Sequence, residues 1–513
     1  MEKNAVFAAV LSAIVILLWV TIIKPKPPIK DAQNTVMAQE APVIEQSIKG
    51  IEGERIHSGR DEKTLTVMEN DDTRIELNSN GGVKSWLIKE KEDKVVELAL
   101  LDETKNLEAF SPMQIYPRIE YTKAGGDERK GITLTGHIGD GVEIKTILSF
   151  GTEQGIVNCE LVLFNETKKI QRISDFGIGL GPGIGYDEAS KKSHFSDMRS
   201  LMWDGKKLYK KMKEGTASHT KIRWIGIDSR YFLAALIDNN NSFDKVTVDK
   251  RKIPVLRYSA DIILEPGEQK KISLSAYWGE KKYEYLKTFN VGLDKSVKFG
   301  LFGGIGKIIL RILNAFYKLT GNYGWSIILL TTLLQACLFP LTKKSTKSMQ
   351  AMKGVQPKIA AIREKYKSDP KQLNIEVMNL YKKEGVNPFG GCLPMLLQLP
   401  IFWALFQTLR SAVELRYAPF ILWIQDLSRP DTIGQIAGFP INILPLCMGI
   451  MMFVSQKLSS GGQDASQNTM LIMMPIVFTF MFWGFPSGLV LYWFVSNIYT
   501  TGIQLWFAKK QKA

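Results

Sequence analysis

Hydrophobic positions along the chain change their spacing several times, and each change marks a different kind of element. Residues 5–23 form an unbroken apolar run, just long enough to cross a bilayer. Between Thr64 and about Asn290 apolar and polar residues alternate, as in Leu65-Val67, Ile75-Leu77, Ile144-Ile147-Phe150 and Val157-Cys159-Leu161-Leu163. Turn signals such as Asn80-Gly81-Gly82 and Asp140-Gly141 punctuate the alternation, which predicts antiparallel strands. From Leu301 to Phe316 the spacing lengthens to that of a helix with Ile305, Ile308, Ile309, Ile312 and Leu313 on one face. Lys307, Arg311 and Lys318 share another face. Beyond Tyr323 five apolar spans follow, at 324–341, 389–409, 441–455, 469–485 and 489–507.

These patterns predict a polytopic α-helical membrane protein of about six spans, carrying a large antiparallel β-sandwich domain. The expected order is a signal-anchor span (1–24), a flexible linker (25–60) and the β domain (61–290). An amphipathic helix lying in the interfacial plane (296–319) and a core of five spans (323–513) complete it. The first run reads as an uncleaved anchor, because Lys24-Pro25-Lys26-Pro27-Pro28 follows it in place of a small-residue cleavage site. Between the first two core spans, residues 342–386 break at Ser368-Asp369-Pro370, with Met349, Met352, Val355, Ile359 and Ile362 on one side. Leu373, Val377, Leu380 and Tyr381 lie on the other, which predicts a helical hairpin with an apolar seam.

Charge fixes the expected orientation. The formal net charge is +15 and the mean hydropathy −0.04, an average over a polar half and an apolar half. The predicted hairpin concentrates the excess: Lys343, Lys347, Lys353, Lys358 and Arg363 stand among further lysines. Basic loops mark the cytoplasmic side, so the hairpin and both termini are expected inside and the β domain outside. The hairpin's basic face suits anionic lipid headgroups, a ribosome or acidic partner proteins. No nucleic-acid-binding motif accompanies the charge, so no specific nucleic acid partner is expected.

The five core spans hold no Asp, Glu, Lys, Arg or His in their interiors, which argues against ion-coupled transport. They do hold uncharged polar groups. Thr331 and Gln335 share one helix face, Gln398 and Gln407 lie in the next span, and Ser496, Asn497, Thr500, Thr501 and Gln504 form a stripe in the last. Two arrangements satisfy such groups: interhelical hydrogen bonds in a closed bundle, or a hydrated groove. Met448, Met451, Met473 and Met481 offer flexible, polarizable contact for varied apolar segments. A transporter or lipid flippase with a sugar-binding sandwich is the rival, but it should show inverted repeats, and none is evident. The scattered histidines have no metal-ligand spacing, no carboxylate pair stands at an acid/base spacing, and no cofactor motif is present, so no enzyme activity is expected.

Several motifs carry a family resemblance. Asn387-Pro388-Phe389-Gly390-Gly391-Cys392-Leu393-Pro394 leads into Gln398-Leu399-Pro400-Ile401-Phe402, and Phe485-Pro486-Ser487-Gly488-Leu489-Val490-Leu491-Tyr492-Trp493 ends at Ser496-Asn497. With Phe339-Pro340-Leu341-Thr342, Gln356-Pro357-Lys358 and Glu414-Leu415-Arg416, these resemble the YidC family of membrane protein insertases over about 315–510. The anchor and outer domain resemble its Gram-negative branch. The resemblance implies an inner-membrane insertase and chaperone that works with or without the Sec translocon on nascent inner-membrane proteins. It also implies a hydrophilic groove, with Gln335, Thr331, Tyr492, Trp493, Gln398 and Met481 as the expected lining. The family commonly places an arginine in this groove, and by that alignment the position here is Gln335.

Overall fold

The structure, a computed structural model, describes residues 64–512 apart from 90–94, 99–112, 182–183, 185–197, 211–214, 219–221, 251–253, 388–392 and 460–464. The expected anchor and linker lie outside the described residues. Three antiparallel sheets form the β domain. The largest has nine strands in the spatial order Leu208–Lys210, Arg199–Trp203, Trp224–Asp228, Phe232–Asp238, Gln269–Glu280, Ile156–Asn165, Val142–Phe150, Gly131–Ile138 and Tyr121–Asp127. A five-stranded sheet centred on Pro254–Leu264 and a four-stranded sheet from Thr64–Glu69 to Val95–Glu97 complete the set.

Alternation explains the packing. In Ile156–Asn165 every second side chain from Val157 is buried, so Val157, Cys159, Leu161 and Leu163 enter the core while their neighbours face outward. All three sheets contribute to one hydrophobic cluster, which includes Trp86 stacked on Trp278 at 4.7 Å. Burial in this core pushes the Cys159 thiol from its ordinary value near 9.0 up to about 12, with the Glu160 carboxylate adding to the rise.

One charged cluster sits inside the domain. The fully buried Asp228 carboxylate accepts from Arg199 Nε at 2.9 Å and Nη2 at 2.5 Å, and from Lys281 Nζ at 2.8 Å. Lys281 also donates to the Ser229 carbonyl at 2.6 Å, and Arg199 Nη2 to the Ser296 carbonyl at 3.2 Å. Ser296 belongs to the segment leaving the domain, so the cluster pins that exit to the sheet.

Among the described residues eight α-helices follow: α1 (Tyr283–Thr288), α2 (Gly303–Thr320), α3 (Tyr323–Lys365), α4 (Pro370–Lys383), α5 (Leu393–Ser411), α6 (Ile443–Ser459), α7 (Ala465–Phe482) and α8 (Ser487–Lys512). Helix α2 starts at Gly303, seven residues after the expected start at 296, and Gly300 just ahead of it takes a left-handed conformation. Its apolar face is divided: Ile309, Leu310 and Leu313 pack inward, while Ile305 and Ile308 remain exposed. Gly321 (φ 65°) closes α2, and the Asn322 side chain caps α3 by accepting from Gly324 N at 2.8 Å.

Helix α3 differs most from expectation. The first core span and the first arm of the predicted hairpin form one continuous 43-residue helix that runs through Pro340 and Pro357. Among the described residues α3 is the one helix both long and apolar enough to cross a membrane; α6 and α7 hold shorter apolar stretches. Asp369 caps α4, with Pro370 at its first turn, and Lys358 reaches across to Glu384 at 2.6 Å. The β domain docks on this helical part. The Arg416 guanidinium, buried in the loop after α5, lies 4.7 Å from the Phe232 ring centre and 5.7 Å from that of Tyr231.

Removing the Asp228 carboxylate leaves two buried cations facing each other. Asp228→Ala is expected to destabilise the β domain by about 3–5 kcal/mol, read as a lower midpoint in denaturant unfolding of the full-length protein. For Cys159 the folded state holds the proton more tightly than the unfolded state does. Its contribution is complete below about pH 9 and falls as pH rises towards 12. Native protein at about pH 8 should therefore leave Cys159 unalkylated, with modification appearing only on unfolding, as followed by mass spectrometry.

Candidate functional site

The polar residues of the spans converge on α8, which packs against α3, α5 and α6. Their placement follows from helical spacing. Tyr492, Ser496 and Tyr499 recur at intervals of four and three, so they line adjacent positions along one side of α8. Gln335 Nε2 donates to Ser496 Oγ at 2.5 Å, and one turn earlier on α3 the Thr332 hydroxyl meets the Tyr499 hydroxyl at 2.7 Å. On α6, Ser455 Oγ donates to Gln504 Oε1 at 3.3 Å. The Gln398 side chain of α5 lies beside the Tyr492 hydroxyl. Each of these four links has one member on α8.

Remaining hydroxyls turn back onto their own helices. Thr331 donates to the Ile327 carbonyl at 2.7 Å and Thr500 to the Ser496 carbonyl at 3.0 Å, while the Asn497 amide donates to the Trp493 carbonyl at 3.0 Å. Among the described residues of the spans, two atoms find no partner. Thr501 Oγ1 on α8 and Gln456 Oε1 on α6 are buried without a hydrogen bond. Each such group costs on the order of 1–3 kcal/mol.

The six residues expected to line a groove fall into two environments. Gln335, Thr331 and Tyr492 are buried, and Gln335 sits in the polar seam between α3 and α8. Trp493 points elsewhere. Its ring lies edge-on to Phe402 at 4.8 Å and near Phe482 at 5.5 Å, in an aromatic cluster between α5, α7 and α8. Half-buried Met481 packs against the same cluster. Gln398 joins the two environments through Tyr492. Tyr499 and Ser455 escaped the sequence analysis as seam partners; the spacing from Ser496 to Tyr499 was the available signal for the former.

The basic positions also divide. Lys343, Lys347, Lys358 and Arg363 are exposed, and Lys358 is paired with Glu384. Lys353 is half-buried, and its ammonium donates to the Leu458 carbonyl in the last turn of α6, where the helix dipole favours a cation. Burial holds its pKa below the ordinary lysine value. Lys353 therefore ties the second half of α3 to α6.

Comparison with known proteins adds the following. Residues 315–513 match the family described as 60Kd inner membrane protein, and residues 87–312 match the YidC periplasmic domain. A membrane protein insertase YidC from Endomicrobium trichonymphae is 37% identical, aligning over 99% of this chain and 98% of its own length. One from Pelobacter propionicus is 33% identical, over 99% of both chains. The solved structure of an active YidC insertase with its first transmembrane domain resolved covers 86% of this chain and 94% of its own, at 20% identity and a TM-score of 0.39.

Gln335→Leu removes the α3–α8 link and leaves the Ser496 hydroxyl unpaired. It is expected to lower stability in mixed micelles by about 0.6–2 kcal/mol. Thr501→Val deletes a hydroxyl that has no partner, and the same unfolding titration should show no loss or a gain.

Proposed function

The chain belongs to the YidC family of membrane protein insertases, and from this premise we propose that it inserts and folds inner-membrane proteins through the α3–α8 seam. The observation that carries the proposal is the concentration of uncharged polar groups on α8, several paired across helices, with Thr501 on α8 and Gln456 on the adjoining α6 unpaired. Interhelical side-chain bonds of this kind are individually weak. A substrate's polar flank, or water accompanying it, exchanges with them at small cost, and Thr501 and Gln456 gain partners when it does. A wet seam shortens the hydrocarbon path for a polar segment and lowers the several-kcal/mol cost of each unsatisfied group. Insertion requires no bond-making step, and the chain acts without chemical catalysis.

The span arrangement belongs to the same proposal. The apolar stretches of α3 and α5–α8, with the N-terminal run, cross the inner membrane; the α3–α4 arm and both termini are cytoplasmic; the β domain is periplasmic. The basic residues of the arm support this orientation. Exposed Lys343, Lys347 and Arg363 suit anionic headgroups and a translating ribosome, and the Sec translocon is a partner for longer substrates. Gln335 occupies the seam without a formal charge. Hydration and hydrogen bonding, rather than attraction to acidic tails, drive entry here.

A photo-crosslinking residue at Gln335 tests the proposal during translation of a short membrane protein with proteoliposomes of this chain. Crosslinks to the nascent segment are expected, with insertion dependent on the chain. An absence of both sinks it. Gln335→Arg is expected to favour substrates with acidic outer tails over neutral ones, read as their ratio of inserted product.

A further inference from the structure

The loop after α5 ends in a β-hairpin, Thr432–Ile436 paired with Phe439–Asn442, that carries no charged residue. All five residues of its first strand are exposed, with Ile433 at 52% and Ile436 at 69%, and Phe439 opposite Ile436 is exposed at 54%. Ala437 (φ 51°) and Gly438 (φ 80°) make the tight turn between them, so the tip is Ile-Ala-Gly-Phe. An isolated two-stranded hairpin with an apolar tip is marginal in water and a hazard for aggregation. Solvent is a poor medium for it.

The hairpin is nonetheless held rigidly at the ends of two helices. Trp483, just past α7, donates its ring N–H to the Pro440 carbonyl at 2.9 Å and lies 5.5 Å from the Phe439 ring. Asn442 accepts from the Thr432 hydroxyl at 2.6 Å and donates to the Trp483 carbonyl at 2.5 Å. The Asp431 carboxylate accepts from Leu444 N at 2.6 Å and from the Trp423 ring N–H at 2.9 Å. The second strand runs into α6 with no intervening residue. Along α6 the exposed apolar surface continues through Leu446, Ile450 and Phe453, and on α7 through Phe480, Val477 and Ile476.

We propose that this hairpin lies in the outer interfacial layer of the bilayer, its Ile436–Phe439 tip against the lipid chains. Continuity with the exposed faces of α6 and α7 selects lipid as the occupant. The depth follows from the backbone. The hairpin's outer edges carry N–H and C=O groups with no strand beside them, which hydrocarbon cannot satisfy and the headgroup layer can. Trp423, bonded to Asp431 beside the hairpin, and Trp483, bonded to Pro440 within it, are side chains that favour the membrane–water boundary. The hairpin thereby sets the outer level of α6 and α7.

The inference rests on α6 and α7 crossing the bilayer, so its test separates the two. A nitroxide-bearing amino acid is placed at Ile436, at Ile450 in mid-α6, or at Lys206 in an exposed turn of the β domain. Full-length protein is reconstituted in phosphatidylethanolamine–phosphatidylglycerol vesicles. The ratio of collision with oxygen to collision with a water-soluble nickel chelate is then measured. At Ile436 the ratio should lie several-fold above Lys206 and below Ile450. An Ile436 ratio equal to that of Lys206, with Ile450 still high, overturns the proposal alone; aqueous values at both positions overturn the spanning arrangement. A photo-crosslinker at Ile436 in native membranes should label lipid. A protein adduct in its place means that a partner strand pairs with the hairpin edge and that lipid is the wrong occupant.

Discussion

Hydrocarbon supplies no hydrogen bonds, and the helical half of this protein is organised by that single deficiency. Thr331, Thr332, Thr408 and Thr479 each answer it by donating to the carbonyl four residues back on their own helix. Side chains too long for that solution, Gln335, Gln398 and Gln504, must find partners elsewhere, and the partners stand on α8 or reach it. The result is a bundle whose polar contacts radiate from one helix. Packing of apolar groups holds the rest: Leu330, Leu405, Met448 and Val490 are all fully buried in a single cluster. A closed arrangement held by weak, exchangeable bonds at one seam suits a protein that must admit varied segments and release them.

The β domain is joined to the helices by a different physics. Arg416 is buried, and its charge is accommodated by ring faces from the domain and by Tyr417, at 4.9 Å. The Asp228 cluster then holds the chain where it leaves the sheet. The Arg416 charge lies at the junction of the two halves, whereas the Asp228 carboxylate inside the domain is compensated by Arg199 and Lys281. Below it, the Tyr283 ring meets Phe299 edge-on at 5.1 Å, so the exit segment is also packed before α2 begins.

Much of this was legible in the residues. Period-two alternation identified the strands of the β domain because one face of each is buried, and the Asn387–Phe402 and Phe485–Asn497 motifs identified the family. The continuity of α3 was not legible. The change from apolar to basic residues after Leu341 reads as the end of a span and the start of a separate hairpin, yet one helix runs through it with Pro340 and Pro357 inside. Tyr492 and Trp493, expected to line one groove, part because adjacent residues on a helix point about 100° apart: Tyr492 takes the seam while Trp493 takes the aromatic side. The inward placement of Lys353 was hidden as well, since nothing in a run of lysines tells which one meets the end of another helix.

The continuity of α3 has a mechanical consequence. Forty-three residues at 1.5 Å each make a rod of about 65 Å, twice the thickness of the hydrocarbon layer. Its two prolines cannot donate to the Ala336 and Lys353 carbonyls, which softens the rod at two points along its length. Between those points it transmits torque. A load on the far end, where Lys358 and Glu384 brace α4, is therefore delivered as a bend beside Gln335, and the stiffness of one helix sets how far apart a push and its effect can be.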